Sequence, residues 1–287
     1  MVKNVLSIYQ DIYIAPPTIT LTTDASLSGW GGCSNSNSTN GAFSKEERES
    51  HINVLELKAA LFTLQSLCKN THQSHIRILS DNTTTVSAIN KFGTTKSVNC
   101  DLVAKEIWDW AISRDNFISC SHIPGRDNEE ADYKSRNISI YTEWKLKPSI
   151  FRFVCNELEF YPKIDLFASR LNSQLPLFMS FRPDPDCIAV DAFLEDWKTI
   201  KFYAFPPFAI IPKVLQKVLF EKGRGILIAP LWPTQPWYKR LQDLTVKFVL
   251  LHSRTDLLSL PSDPGMVHPM ANKLQLLACL IDGDIYN

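Results

Sequence analysis

The fold is decided by the stretch Thr20-Leu-Thr-Thr-Asp-Ala-Ser-Leu-Ser-Gly-Trp-Gly31, which opens as a strand and ends in a glycine-rich turn. Asp24 stands in this strand where a buried strand usually carries an apolar residue. A buried acid is costly unless a cation or a hydrogen-bond network compensates its charge. The stretch therefore predicts that Asp24 is the fixed point of a metal site, to which the following chain brings further acids.

Composition and cysteine usage limit the classes of protein to which the chain can belong. The 287 residues are 45% hydrophobic and carry a net charge of zero, which allows one or two folded domains but no basic clamp for nucleic acid. The seven cysteines form no C-x-x-C pair, which favours reduced thiols and an intracellular protein, in the nucleus or the cytoplasm. No apolar run is long enough for a signal peptide or a membrane span, so we expect no membrane partner.

Hydrophobic periodicity predicts a hairpin followed by alternating helices and strands. Helix 52–68 is expected to begin at an Asn53 cap and carries Glu56 beside its apolar stripe. The next strand, 75–80, ends at Asp81, and a parallel crossover would place it beside the strand of Asp24. The remaining predicted elements are strands near 28–34 and 41–44, helices 82–90 and 100–113, strand 116–122 and helix 129–136.

Four acids lie at the ends or edges of these elements: Asp24, Glu56, Asp81 and Asp132. Any one of them alone is most often a surface residue or a helix cap. Together, in this order of strands and helices, they can hold two Mg²⁺ ions, which prefer carboxylates and water. Two such ions suit in-line displacement at a phosphate.

Several motifs resemble the ribonuclease H domain attached to reverse transcriptases, most closely that of DIRS-type, tyrosine-recombinase retrotransposons. The motifs cover residues 18–137 and are Thr23-Asp-Ala-Ser26, His51-Ile-Asn-Val-Leu-Glu-Leu57, Ser80-Asp-Asn82 and His122-Ile-Pro-Gly-Arg-Asp-Asn-Glu-Glu-Ala-Asp132. The resemblance implies a metal-dependent endonuclease that cuts the RNA strand of RNA·DNA hybrids, with two Mg²⁺ or Mn²⁺ ions and an upstream polymerase domain of the same polyprotein as partner.

The resemblance also implies a role for each matching residue. Asp24, Glu56, Asp81 and Asp132 would bind the metals and act as catalytic residues. His122 would lie near the scissile phosphate and assist proton transfer or product release. The side chains expected to contact the hybrid are those of Ser26, Asn82 and Thr83.

The second half is similar to the phage-type DNA adenine methyltransferase-like domain that follows ribonuclease H in such elements. Asp165 suits a cofactor-binding acid for S-adenosylmethionine at a strand end. The motif Phe205-Pro206-Pro207-Phe208, however, has Phe205 where an active enzyme carries Asn or Asp. The resemblance therefore implies a degenerate domain kept for packing or nucleic-acid contact.

The expected fold is α/β: a ribonuclease H-like mixed five-stranded sheet with flanking helices, followed by a second, smaller, methyltransferase-like α/β domain. Helix is expected over 144–159, broken at Pro148. The predicted segments are a linker from the polymerase (1–17), the ribonuclease H-like domain (18–137), a helical linker (138–159), the methyltransferase-like domain (160–250) and a C-terminal extension (251–287).

Three other functions remain open on the sequence. The chain could be a non-catalytic scaffold that positions template for a polymerase, although its intact acids argue against this. It could be a DNA strand-transfer enzyme of the same fold, although those usually use three acids with a Glu on the last helix, where this chain has Asp132. The second half could methylate adenine, against which Phe205 weighs.

Overall fold

The computed structural model describes residues 15–138 and 143–284. Most of the predicted linker 1–17 lies outside these ranges, as do residues 139–142. The described residues form one five-stranded sheet, one seven-stranded sheet and a small two-stranded sheet. None of the helices in the described ranges is both long enough and apolar enough to cross a membrane.

The first sheet is mixed, with the strand order β3-β2-β1-β4-β5. An antiparallel meander joins β1, β2 and β3, whereas β1, β4 and β5 run parallel. The predicted mixed five-stranded sheet is therefore confirmed. Its strands are β1 (Ile19–Ala25), β2 (Gly29–Ser34), β3 (Ser38–Ala42), β4 (His75–Ser80) and β5 (Phe117–His122).

Helices flank this sheet in the predicted order. One expected detail is wrong: Asn53 does not cap the second helix, because the Nδ1 atom of His51 accepts the hydrogen bond from the Asn53 backbone N–H at 3.2 Å. The helix therefore begins at Ile52, two residues before Val54, where an Asn53 cap would start it. The helices are α1 (Lys45–Arg48), α2 (Ile52–Leu67), α3 (Thr83–Asn90), α4 (Val98–Ile112) and α5 (Glu129–Arg136).

Two adjacent glycines let β2 lie tightly between two helices. A Cβ atom on Gly31 would come within 2.5 Å of the Ala131 carbonyl oxygen on α5. A Cβ atom on Gly32, which faces the other side of the strand, would come within 2.0 Å of the Thr63 side chain on α2. The glycines expected to form a turn thus lie in β2, where they permit close packing on both faces of the sheet.

The second sheet has the order β12-β14-β11-β10-β7-β8-β9, and β14 runs antiparallel to both of its neighbours. Apolar residues bury both faces of its centre. Its strands are β7 (Ile164–Asp165), β8 (Leu177–Ser180), β9 (Ala189–Val190), β10 (Lys201–Ala204), β11 (Arg224–Pro230), β12 (Thr245–Leu251) and β14 (Leu276–Asp282), and its flanking helices are α6 (Pro148–Leu158), α7 (Ile211–Glu221) and α8 (Tyr238–Leu244).

Two segments differ from expectation around this second sheet. Helix α6 begins at Pro148, because proline fits the first turn of a helix, and the preceding residues form β6 (Lys145–Leu146), which pairs with β13 (Leu258–Ser259). Strand β14 lies within the segment predicted as a C-terminal extension and pairs with β11 and β12. The boundaries of the predicted domains stay a prediction.

Candidate metal centre

Three of the four predicted acids meet at one edge of the first sheet. Asp24 lies near the end of β1, Glu56 on α2, and Asp81 directly after β4. One carboxylate oxygen of each lies within 4.8 Å of the others. Asp24 and Glu56 are each only 5% exposed. We call Asp24, Glu56 and Asp81 the acid cluster.

Strand register explains why these residues converge. Strands β1 and β4 are parallel, and Thr22 pairs with Leu79. The same offset brings Asp24 level with Asp81, two residues further along each strand. Helix α2 packs on β1 and presents Glu56 from its second turn.

The acid cluster concentrates negative charge that its surroundings do not neutralise. Burial and, after it, the charges of Asp24 and Asp81 raise the pKa of Glu56 to about 8. Burial likewise raises the pKa of Asp24 to about 6, although a hydrogen bond from the Ser135 hydroxyl opposes this shift. The Oε2 atom of Glu56 is buried without a hydrogen-bond partner. A hard divalent cation fits this set of oxygen donors, since it would satisfy Oε2 and offset the repulsion.

The fourth predicted acid, Asp132, lies beside the acid cluster but has a different partner. Its charge contributes to the raised pKa values of Asp24 and Glu56. Its Oδ1 atom accepts hydrogen bonds from Arg136, at 2.8 Å from Nε and 2.6 Å from a terminal guanidinium nitrogen. The structure therefore places Asp132 near the site with its carboxylate paired on the exposed side of α5.

His122 is the last residue of β5 and is exposed. It pairs in register with Ser80, the residue before Asp81. The loop after His122 approaches the acid cluster at Asp81, because a Cβ atom on Gly125 would lie 3.1 Å from the Oδ2 atom of Asp81. His122 is thus on the strand next to Asp81, at the same edge of the sheet.

The residues predicted to contact substrate are only partly available for it. The Ser26 hydroxyl donates to the Ser135 carbonyl at 2.8 Å, and so ties the first turn to α5. The Asn82 side chain caps α3 by accepting a hydrogen bond from the Thr85 N–H at 2.9 Å. Its amide nitrogen donates to the Oδ1 atom of Asn53. Thr83 is exposed in the first turn of α3. Substrate contact by these residues stays a prediction.

Two supporting residues escape the sequence reasoning. Ser135 donates to Asp24, and nothing in its sequence context distinguishes it from a surface serine. Asn128 is expected to cap α5, but its side chain makes no capping bond. Instead its amide donates to the Thr23 carbonyl at 3.0 Å and fastens the start of α5 to β1. An Asn directly before a predicted helix is the one sequence signal near this role, and it predicts a cap instead.

In the second sheet, Asp165 ends β7 and is fully enclosed by its own turn. Its carboxylate accepts backbone hydrogen bonds from Gln174 at 3.0 Å and from Phe167 at 3.4 Å. Burial raises its pKa to about 7, against the lowering effects of these bonds and of the nearby Lys145. The motif Phe205-Pro206-Pro207-Phe208 follows the neighbouring strand β10, and the Phe205 and Phe208 rings lie 6.3 Å apart.

No protein-family profile matches the chain, and no curated protein matches it. Its fold is similar to that of LC11-RNase H1 in complex with an RNA/DNA hybrid (18% identity, 40% of this chain and 92% of that one, TM-score 0.36). It is also similar to RNase H1 of the archaeon Halobacterium salinarum (16%, 40% and 92%, 0.34) and to the N-terminal RNase H domain of a Mycobacterium tuberculosis protein (15%, 40% and 94%, 0.34).

Proposed function

We propose that the chain is a metal-dependent endonuclease that cuts the RNA strand of RNA·DNA hybrids, leaving 3′-hydroxyl and 5′-phosphate ends, during reverse transcription of a retroelement. One observation carries this proposal: three acids from two strands and a helix meet within 4.8 Å, and one buried oxygen of Glu56 has no partner. The motifs around these acids are those of the ribonuclease H resemblance. An upstream polymerase domain is the proposed partner.

In this proposal Asp24, Glu56 and Asp81 hold Mg²⁺, and Asp132 joins them for a second ion. Bound Mg²⁺ would supply electrostatic stabilisation of the attacking and leaving oxygens at the phosphate. Asp132 contributes only after Arg136 releases its carboxylate. This exchange is inexpensive, because exposed ion pairs between neighbouring helical turns contribute little.

The proposed role of His122 is to move a proton at the same edge of the sheet. An imidazole can accept and release a proton near neutral pH, which suits transfer from the attacking water or to the leaving oxygen. His122 is exposed, so its ring is free to follow the substrate. The loop through Gly125 passes over Asp81 and keeps His122 close to the acid cluster.

We propose that the second sheet has lost methyl transfer. Phe205 has no oxygen to accept a hydrogen bond from a target amine. Both oxygens of Asp165 are used by backbone N–H groups of its own turn. Transfer of a methyl group from labelled S-adenosylmethionine to DNA would contradict this part of the proposal.

The nuclease proposal is tested with purified full chain, Mg²⁺ and a hybrid labelled on the 5′ end of its RNA strand. The matched control is Asp81→Asn, which keeps the size of the side chain and removes its charge. We expect internal cuts in the RNA strand by the wild type and none by the variant, while both bind hybrid equally in fluorescence anisotropy. Equal binding with no cutting by the wild type would favour the scaffold function instead.

A further inference from the structure

One segment of the second half, residues 169–187, contacts the first sheet at several points. We call it the docking segment. It follows β7 and runs through β8 towards β9. Its hydrogen bonds reach β3, α1 and the end of α2. Arg170 donates to Glu47 and to the Ala42 carbonyl, and Arg182 donates to Asn40. From the first half, the Thr39 hydroxyl donates to the Pro183 carbonyl and the Lys69 ammonium to the Cys187 carbonyl.

Arg170 makes the most extensive of these contacts. Its two terminal nitrogens donate to the two oxygens of Glu47 at 3.0 and 2.9 Å. One of them also donates to the Ala42 carbonyl at 3.3 Å. The guanidinium carbon lies 4.3 Å from the centre of the Phe62 ring. A two-point pair with a carboxylate and a ring contact are both interactions that lysine cannot reproduce in this geometry.

Glu47 depends on this contact. Burial raises the pKa of Glu47, but the hydrogen bonds and charge of Arg170, together with the Ser44 backbone N–H and the charge of Lys58, lower it overall. Lys58 on α2 also pairs with Glu47, at 3.4 Å. Glu47 thus joins the docking segment to α2 through two cations.

Helix α2 is covered by the first sheet, by α4 and, at Phe62, by the docking segment. It buries residues around its whole circumference over 54–57 and 59–64, so one sheet face cannot cover it. Phe62 is only 8% exposed, with Arg170 stacked on it. Just past the helix end, Lys69 bonds the docking segment again. The docking segment therefore contacts α2, the helix that carries Glu56, at three points. It reaches Lys58 through Glu47, stacks Arg170 on Phe62, and accepts a hydrogen bond from Lys69 just past the helix end.

We infer that Arg170 is a positioning residue for the acid cluster: it fixes α2 against the first sheet and so keeps Glu56 beside Asp24 and Asp81. The second half would then contribute to the metal site without touching it. The inference rests on the proposed function in one respect: its test by metal affinity requires that the acid cluster binds a metal ion. It does not require methyl transfer or a polymerase.

The test compares Arg170→Ala with Arg182→Ala in the full chain, using Mn²⁺ calorimetry. Arg182 bonds Asn40 on β3 at 2.9 Å within the same interface, so its variant is the matched control. Loss of a residue hydrogen-bonded directly to a metal ligand costs about 10- to 100-fold in affinity, and Arg170 acts one step further away, through α2. We expect Mn²⁺ affinity to fall several-fold, by less than about tenfold, in Arg170→Ala and to stay unchanged in Arg182→Ala. Unchanged affinity in a folded Arg170→Ala protein would overturn the inference.

A rescue experiment separates positioning from general loss of structure, and it also serves if Arg170→Ala does not fold. Glu47→Arg and Arg170→Glu should each weaken Mn²⁺ binding, and the double variant should recover part of it, because the two charges pair again although Lys58 then faces a like charge. Arg170→Lys should recover only part. Cleavage by the weakened variants should show lower kcat at limiting Mg²⁺, recovery at high Mg²⁺ and an unchanged KM for hybrid. A double variant no better than the singles would contradict the inference.

Hydrogen exchange distinguishes failure of this inference from failure of the proposed function. If wild type neither binds Mn²⁺ nor cleaves hybrid, the nuclease proposal is lost. Faster exchange of the amides of residues 53–57 in Arg170→Ala than in Arg182→Ala would still support positioning of α2. Equal exchange in the two variants would remove the inference as well.

Discussion

Asp24 and Asp165 are both buried acids at the ends of central parallel strands, yet their surroundings differ. Asp24 is 5% exposed and Asp165 is 2% exposed, and burial raises the pKa of each. The two oxygens of Asp165 accept hydrogen bonds from backbone N–H groups, and Lys145 lies near. Asp24 instead faces the charges of two other acids and has Glu56 beside it.

This difference shows that burial alone does not mark a site. Both oxygens of Asp165 have hydrogen-bond partners in the protein and leave none for a ligand to satisfy, although burial still raises its pKa. In the acid cluster a hydrogen bond from Ser135 reaches Asp24, but the mutual repulsion and the unpartnered Oε2 of Glu56 are left for protonation or a cation to relieve. On this criterion we propose the acid cluster as the metal site and Asp165 as a structural residue of the loop that follows β7.

The largest expected effect contrasts the two acids in hybrid cleavage. Partners that only orient metal ligands contribute about 10- to 100-fold, so loss of a ligand should cost at least the upper value. Asp24→Asn should therefore lower kcat at least ~100-fold, whereas Asp165→Asn should leave it within about twofold. Initial rates with labelled hybrid measure both. Similar losses in the two variants would remove the distinction.

Replacing Glu56 should stabilise the metal-free protein while it abolishes cleavage. At pH 7 a carboxyl with a folded pKa of about 8 destabilises the fold relative to its unfolded value. Glu56→Gln removes that penalty, and its amide can donate to the neighbouring carboxylates. We expect the free energy of unfolding to rise by about 2 kcal/mol in urea titrations with EDTA. A loss of stability would mean that Glu56 makes favourable contacts without metal.

Stability should depend on pH and Mg²⁺ together. The folded pKa of Glu56, about 8, is raised, so its contribution to stability is full below its unfolded pKa and is lost as pH rises to about 8. Mg²⁺ binds the ionised form, so the increase in Tm caused by Mg²⁺ should grow from pH 6 to pH 8. Differential scanning calorimetry with and without Mg²⁺ measures it.

Asp165→Asn serves as the control for this pH series. The pKa of Asp165 is raised to about 7, so its ionisation lowers the stability of the fold as pH rises towards 7. Mg²⁺ does not offset this loss, because Asp165 is not a proposed metal ligand. In the variant, Tm measured without Mg²⁺ should depend less on pH. The increase in Tm caused by Mg²⁺ should be the same as in the wild type. An increment that is the same at pH 6 and pH 8 in the wild type would argue against ionisation of the acid cluster on metal binding.

The smallest expected effect concerns Asp132. Arg136→Ala frees the Asp132 carboxylate and removes a positive charge near Asp24. Because the Arg136 pair is exposed, we expect Mn²⁺ affinity to rise only about twofold. Isothermal titration against the wild type measures this change, and a fall in affinity would show that Arg136 supports the site.

Sequence reasoning located the acid cluster because its determinants are local. The alternation of β1 places Asp24, the end of a strand places Asp81, and the start of a helix places Glu56. These signals depend on a few neighbouring residues and on the rule that parallel strands joined by a crossover lie side by side. The partners of the acids were less accessible, since Ser135 meets Asp24 from 111 positions away.

The docking segment could not be predicted for the same reason. Arg170 and Glu47 are 123 positions apart, and neither lies in a sequence pattern that predicts burial. The one hint was in α2, where Phe62 adds an apolar residue outside the predicted stripe. Strand β14 was likewise missed, because its pairing with β11 depends on distant residues and its flanking segment carries weak local signals.

The comparison of the two buried acids is tested most directly by Mn²⁺ calorimetry on wild type, Asp24→Asn and Asp165→Asn at pH 8. The account predicts saturable binding to the wild type, the same binding to Asp165→Asn and loss of binding in Asp24→Asn. Circular dichroism would confirm that all three proteins are folded. Binding that survives in folded Asp24→Asn, or that is lost in folded Asp165→Asn, would contradict the account.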